Sequence, residues 1–231
     1  MLSIITINKD NRLGLERTIE SMAHLQDGSY QWVFIDSASS DGSVELAKGF
    51  AKSGDIVISE PDTGIYNAMN KGIGQASKGK VLFLNSGDTL GGNVVSIASL
   101  KLNPLADLTL FGFWIRDRLR MPRSNNWRYW SMPTSHQAII YSRNLLLQEP
   151  YDEQYRFAAD FEHYLRINKH QLVIDSRQQA LIVNEPYGSE AHLPKLLAEY
   201  RDALIKNGYP RWWAQAVFWL KTHYLEWALK R

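Results

Sequence analysis

The stretches that decide the fold are Phe34-Ile35-Asp36-Ser37-Ala38-Ser39-Ser40-Asp41-Gly42, Ser59-Glu60-Pro61-Asp62-Thr63-Gly64 and Phe83-Leu84-Asn85-Ser86-Gly87-Asp88. Each closes an apolar run of strand length with an acidic or amide side chain inside a polar or glycine-containing turn. In an open, mostly parallel α/β sheet, ligands bind in the crevice beyond the carboxyl ends of the strands. Polar groups gathered there mark a candidate site for a nucleotide and a metal.

Working outward, apolar runs alternate with segments of helical period, the signature of βα units and a parallel sheet. Strands are expected over residues 2–7, 31–36, 56–59 and 80–84. Helices fall between them: one over 13–25, with Leu15, Ile19, Met22 and Leu25 on one face, a second from an N-cap at Asp41, and a third from Thr63, with Ile65, Ala68, Met69 and Ile73 turned inward. Beyond Asp88 the pattern loosens to a short helix over 94–100, a strand over 108–113 and a basic aromatic stretch without clean period. A strand over 137–141, a helix over 160–168 and strands over 172–175 and 180–183 follow. The tail from about residue 193 reads as helix, broken by Asn207-Gly208-Tyr209-Pro210, a stop signal and a fresh start.

A chain of 231 residues with 45% apolar content is long enough for one large domain with a helical appendage. It has no cysteine, which excludes disulfides, thiolate zinc sites and a cysteine nucleophile. Met1 to Asn8 lacks the basic and long apolar regions of a secretory signal and reads as a strand, which implies a cytoplasmic location. The apolar run 212–220, interrupted by Gln215, falls well short of the ~20 residues a membrane span needs. A net charge of +2 does not indicate nucleic-acid binding, yet the cations are uneven: five arginines between Arg116 and Arg128 face only Asp117, among Trp114, Trp127, Tyr129 and Trp130.

Several side chains have the chemistry for a site. Asp36 either serves its Ser-rich turn or accepts a hydrogen bond from a nucleobase or ribose. Asp88 follows a buried strand, where one carboxylate with phosphate oxygens and water suffices to hold Mg²⁺ or Mn²⁺. His136 reads as a further metal ligand, a phosphate contact or a hydrogen-bonded core residue. Asp160 and Glu162 open a helix and are either macrodipole carboxylates or, for one of them, a general base.

Taken in order, these segments resemble the family 2 glycosyltransferases, inverting enzymes with the GT-A fold, and most of all the small bacterial members that assemble exopolysaccharide, such as the colanic acid type. The resemblance is carried by Ser3-Ile4-Ile5-Thr6, by 35–43, by 59–72, by 83–88, by Ser135-His136-Gln137-Ala138 and by Ala159-Asp160. It implies an α/β, Rossmann-like, mostly parallel central sheet flanked by helices. Residues 1–192 would form the transferase domain, with a nucleotide-sugar half over 1–90 and an acceptor half over 91–192, and 193–231 an amphipathic helical extension. It further implies that Thr6 and Asp36 line the base pocket, that Asp62, Asn67, Asn70 and Lys71 border the nucleotide and diphosphate, and that Asp88 matches the metal-binding DxD stretch. Asp160 matches the catalytic base. Asn85, Ser86 and Gly87 replace the further acids many relatives carry, and Met69 stands where many have an arginine near the diphosphate.

The expected partners are therefore a nucleoside diphosphate sugar donor, a divalent Mn²⁺ or Mg²⁺ cofactor and a lipid-linked saccharide acceptor. Trp213, Val217, Leu220, Tyr224 and Trp227 at helical spacing offer a peripheral membrane face, with Arg211, Lys221, Lys230 and Arg231 for anionic headgroups. Packing of that helix on the domain or on a second subunit is the competing reading. A non-catalytic nucleotide-sugar-binding protein and a sugar-phosphate nucleotidyltransferase are the alternatives in function.

Overall fold

A computed structural model describes residues 1–25, 28–168, 170–185 and 192–229. Strand β1 (Leu2–Asn8) is buried along its whole length and forms the axis of the sheet. It pairs in parallel with β2 (Tyr30–Asp36) on one side and β4 (Lys80–Phe83) on the other, and β2 pairs in parallel with β3 (Ile56–Ser59). Burial on both faces is why these strands read as near-continuous apolar runs. Helices α1 (Arg12–Met22), α2 (Ser43–Phe50) and α3 (Ile65–Gln75) provide the crossovers.

The sheet continues past β4 in the order β3-β2-β1-β4-β8-β6-β9-β5, with β7 (Arg118–Arg120) attached to β6. Here β5 is Thr89–Leu90, β6 Leu108–Ile115, β8 Ile139–Ser142 and β9 Ile174–Asn184. Strand β8 runs antiparallel to both β4 and β6, so β6 and its parallel neighbour β9 point the same way as β1 to β4. The sheet is mixed rather than mostly parallel: β1 to β4, β6 and β9 run one way, but β5, β7 and β8 run against them and half of the ladders are antiparallel.

The two strands expected over 172–175 and 180–183 are one strand, β9. Its register against β6 jumps between Leu110↔Ser176 and Gly112↔Ala180, and this bulge absorbs the polar residues between the apolar ends. The helix expected over 94–100 reduces to a 3-10 turn at Ala98–Leu100, and the strand expected over 137–141 starts at Ile139, after a 3-10 turn His136–Ala138. Short helix α4 (Arg143–Gln148) had no signal strong enough to read. At α2 the cap position belongs to Gly42, with φ +86°, and Asp41 caps from one residue earlier by accepting from Ser43 N at 3.0 Å and Arg12 N at 2.7 Å.

Alternation along the strands divides the core in two. Ile4, Trp32 and Phe34 face Leu15, Ile19 and Met22 of α1. Ile5, Ile7, Val33 and Ile35 face Met69 and Ile73 of α3 and Phe161 and Leu165 of α5 (Ala159–Ile167). The same second core takes Ala203 and Leu204 from α6 (Leu193–Lys206) and Ala214 and Val217 from α7 (Arg211–Leu229). Among the described residues no helix is long and apolar enough to cross a membrane.

Gly72 lets α3 approach β1. A Cβ there would sit 2.5 Å from Cγ2 of Ile5, a β-branched side chain with no exposure and little rotamer freedom. Alanine gains about 1 kcal/mol of helix propensity, but overpacking a close-packed core costs about 1–3 kcal/mol. Gly72→Ala is expected to lower stability by about 1 kcal/mol net; a urea midpoint above that of the wild type would show that α3 can retreat.

Candidate active site

At the carboxyl ends of the parallel strands a chain of hydrogen bonds crosses the sheet. Ser86 Oγ donates to Asn8 Oδ1 at 2.7 Å, and Asn8 Nδ2 donates to Asp36 Oδ1 at 2.8 Å. Asp36 Oδ2 accepts from Ser39 N at 2.8 Å and from Ser59 Oγ at 2.7 Å. One residue following or ending each of β4, β1, β2 and β3 is thereby tied to its neighbour. Burial alone would raise the Asp36 pKa, but the donors from Ser39, Asn8 and Ser59 outweigh it and hold the carboxyl below its ordinary value. Thr6 lies two residues short of the end of β1, where its Oγ1 accepts from Trp32 Nε1 at 3.0 Å.

The segment 59–72 forms the rim beside this belt. Asp62 Oδ1 accepts from Gly64 N at 2.9 Å, shaping the turn into α3. Asn67 and Asn70 both donate to the carboxylate of Glu153, at 2.9 Å each, and Asn70 also exchanges two bonds with the backbone of Tyr151. Lys71 pairs with Glu60 at 2.6 Å. Glu153 was not singled out from the sequence; it is 83 residues away from Asn70, and only the fold brings them together. Met69, in the position where the resemblance expected an arginine in many relatives, is wholly buried in the core.

Asp88 sits behind the turn Asn85-Ser86-Gly87. Helix α1 holds that turn: Thr18 Oγ1 accepts from Gly87 N at 3.0 Å and donates to Asp88 O at 2.8 Å. Asp88 Oδ1 accepts from Glu185 N at 2.8 Å and Asn184 Nδ2 at 3.2 Å, at the end of β9. Among the described residues no hydrogen bond reaches its other oxygen. Burial pushes the Asp88 pKa up to about 6, against the lowering effects of those two donors and of nearby His136. Three buried atoms here have no hydrogen-bond partner among the described residues: Asn85 Oδ1, Asn184 Oδ1 and His136 Nε2. Native interiors rarely leave such atoms orphaned. Among the described residues no group of three or more His, Asp or Glu side chains is arranged to hold a metal ion, so a hard divalent cation beside Asp88 would need phosphate oxygens and water to complete its shell.

Asp160 opens α5 on the other side of His136. His136 Nδ1 lies 3.4 Å from Asp160 Oδ2, while Tyr66 Oη and Phe161 N donate to Oδ1 at 3.0 and 2.9 Å. Burial raises the Asp160 pKa, yet the His136 hydrogen bond and charge, Phe161 N and Tyr66 together hold it below the ordinary value, so the carboxylate is ionised and able to accept a proton. Glu162, the competing acid, is fully buried and turned toward Arg166 at 3.2 Å and Lys206 at 3.9 Å. The fold thus separates two carboxylates that spacing left equivalent.

The C-terminal helices reach this end of the site. Glu199 of α6 accepts from the backbone N–H groups of Arg156, Phe157 and Ala158 at 2.8–3.0 Å, capping the turn that delivers Asp160. Lys221 of α7, expected to face outward, points inward. Its Nζ lies 3.7 Å from the Tyr200 ring centroid and 5.9 Å from those of Trp130 and Phe161, and it donates to Trp130 O at 2.7 Å. Burial pulls its pKa down to about 7, with Asp160 opposing the shift and Arg123 adding to it. The surrounding aromatic faces attract the cation and help offset the burial cost.

A family model described as glycosyl transferase family 2 matches residues 3–96. The chain is 34% identical over 177 residues to an uncharacterized glycosyltransferase of Mycobacterium tuberculosis, covering 71% of this chain and 68% of that protein. It is 29% identical over 182 residues to the PGL/p-HBAD biosynthesis glycosyltransferase of Mycobacterium bovis, covering 72% and 69%. The fold is shared with glucosyl-3-phosphoglycerate synthase from Mycobacterium tuberculosis, solved with Mn²⁺, UDP and glucosyl-3-phosphoglycerate: TM-score 0.63, 16% identity, 91% of this chain and 81% of that one.

Because the folded pKa of Asp88, about 6, lies above the ordinary aspartate value of 3.8, the native state binds the extra proton between these values, and stability falls as pH rises through that window. In the metal-free protein Asp88→Asn is expected to raise the melting temperature near neutral pH and to change it little below the ordinary carboxyl pKa. An equal effect at both pH values would overturn burial as the cause.

Proposed function

Because the chain belongs to glycosyltransferase family 2 and has the GT-A fold, we propose that it transfers a sugar, with inversion at the anomeric carbon, from a nucleoside diphosphate sugar to a hydroxyl of a lipid-linked saccharide in bacterial surface polysaccharide synthesis. Membership in a transferase family sets aside the nucleotidyltransferase and the non-catalytic binding protein. The observation that carries the reading is the grouping of an ionised Asp160, His136 and a half-engaged Asp88 within one hydrogen-bonded and electrostatic cluster.

In this reading the base of the donor sits over the strand-end belt. Asp36 contacts the base; its buried carboxylate already holds Asn8, Ser39 and Ser59, so an imino N–H would reach it by displacing one of these donors. The backbone around Thr6 lines that pocket, and Asp62, Asn67, Asn70 and Lys71 border the ribose and diphosphate. Lys71 would then exchange its Glu60 partner for phosphate. Asp88 and His136 are the residues that would hold a divalent cation, Mn²⁺ or Mg²⁺; when bound, it supplies positive charge against the charge that builds on the leaving diphosphate. The synthase of the same fold was solved with Mn²⁺ and UDP.

Asp160 takes the acceptor proton as the hydroxyl oxygen attacks opposite the leaving diphosphate. His136 and Tyr66 hold the carboxylate in place and keep it ionised. Glu199 holds the backbone beneath it. The acceptor half of the cleft lies on the α5 side, toward residues 91–192, and a lipid-linked acceptor requires the enzyme to work at the cytoplasmic face of a membrane.

Titration with UDP, GDP and dTDP, each with and without Mn²⁺, is expected to raise the melting temperature with one nucleotide and more so with metal, since a ligand that binds only the folded state stabilises it by mass action. Asp88→Ala should remove the metal-dependent increment. Asp160→Asn should lower release of nucleoside diphosphate from the selected donor by roughly 10² to 10⁴ while leaving that nucleotide's thermal shift intact. Normal turnover in Asp160→Asn would sink the assignment of the base.

A further inference from the structure

The apolar face expected on the C-terminal helix is split in two. Trp213 and Val217 turn inward with Ala214 and Lys221, whereas Leu220 and Tyr224 turn outward. Trp227, Lys230 and Arg231 lie outside the described residues and side chains. A second stripe, Trp212, Ala216, Trp219, Leu220 and Tyr224, runs along the solvent side at a spacing of three to four residues. Trp212 is 72% exposed and Trp219 56%. Helix α7 is therefore apolar on both sides, and its outer stripe stays largely exposed even where Tyr224 and Trp212 make ring contacts. A helix apolar all round is normally buried all round.

The basic aromatic stretch before β8, which had no readable period, packs against this same helix. Trp127 meets Tyr129 tilted at 5.9 Å, and Tyr129 meets Trp213 at 5.5 Å, Trp213 meets Trp212 at 5.8 Å and Trp130 meets Tyr224 at 6.3 Å, each edge to face. Two segments more than eighty residues apart in sequence thus form one aromatic surface. Its own segments carry cations without acids, although Asp202 shares a pocket with Arg211 at the start of α7. No Asp or Glu occurs over 118–148 or 203–225. Arg123 and Arg128 are exposed and have no salt bridge among the described residues; Arg211, exposed at the start of α7, adds a third cation.

We infer that this surface, formed by the 123–130 loop and the outer stripe of α7, docks the enzyme on an anionic lipid bilayer. Tryptophan and tyrosine place amphipathic rings at the headgroup level, and arginine meets the negative surface potential. A second copy of the chain fits poorly, because a two-fold contact sets each patch against itself and would oppose arginine to arginine. The inner face of the same helix carries Lys221 beside Phe161, the residue after Asp160. The bilayer surface would therefore lie about one helix diameter, roughly 10–12 Å, from the acceptor end of the site. The inference takes its purpose from the lipid-linked acceptor proposed above, but its test needs neither donor nor acceptor.

Flotation with vesicles of phosphatidylcholine alone and of phosphatidylcholine mixed with phosphatidylglycerol is the experiment. The wild-type chain is expected to float with the mixed vesicles, to be released by salt, and to stay largely free of the neutral ones. The exposed pair Trp212→Ser with Trp219→Ser, and separately Arg123→Gln with Arg128→Gln, should each weaken partitioning by roughly tenfold or more. An unchanged melting temperature shows that a variant is folded, and its nucleotide response reports the donor site separately. Equal flotation of wild type and both variants would overturn the inference. So would absence from mixed vesicles, and a dimer in sedimentation that the Trp variant dissociates would give the surface to a second copy.

Discussion

The structure depends on one buried carboxylate. Asp36 has no solvent exposure, yet it stays ionised because three donors from three different segments converge on it. An ion buried without such partners would cost several kcal/mol, so the folded state is reached only when β1, β2 and β3 end at matching heights. Asn8 then extends the same chain of bonds to Ser86, past β4. The turns that follow β1 to β4 leave the sheet from points this network holds, whereas the turn before Asp160 is held separately by Glu199.

At the far end of the crevice two carboxylates are driven in opposite directions. Asp88 is desolvated with few donors, and its proton is held to about pH 6. Asp160, more exposed than Asp88, receives bonds from His136, Tyr66 and its own helix, and its proton is lost more readily than usual. Opposed environments of this kind are what allow neighbouring acids to take different roles. His136 stands between them, with one nitrogen committed to Asp160 and the other left without a partner among the described residues.

The C-terminal helices belong to this arrangement. Glu199 supplies the carboxylate that satisfies three backbone donors ahead of Asp160, and Lys221 fills an aromatic cage built from α5, α6 and the loop before β8. Burying a lysine in this way ties the helix that carries the outer aromatic stripe to the helix that carries the candidate base. The proposed docking surface and the proposed acceptor end are then joined through the same element.

The first four strands, the three intervening helices and the polar strand ends were legible in the sequence because each is written locally: a doubly buried strand is a continuous apolar run, and a crossover helix keeps its period on one face. The same holds for α6 and α7 and the break at Asn207-Gly208-Tyr209-Pro210, where α6 ends at Lys206 and α7 begins at Arg211. The residues of the site were legible as types at strand and helix ends. Their partners were not. Glu153 at Asn67 and Asn70, Tyr66 at Asp160, Asn184 and Glu185 at Asp88, and Glu199 below α5 are all long-range contacts, and no local pattern encodes them. The bulged β9, the different partners of Asp160 and Glu162 and the inward turn of Lys221 were likewise decided by tertiary structure. Periodicity states that a face is apolar or charged, but which neighbour covers it depends on chain segments that meet only after the sheet has closed.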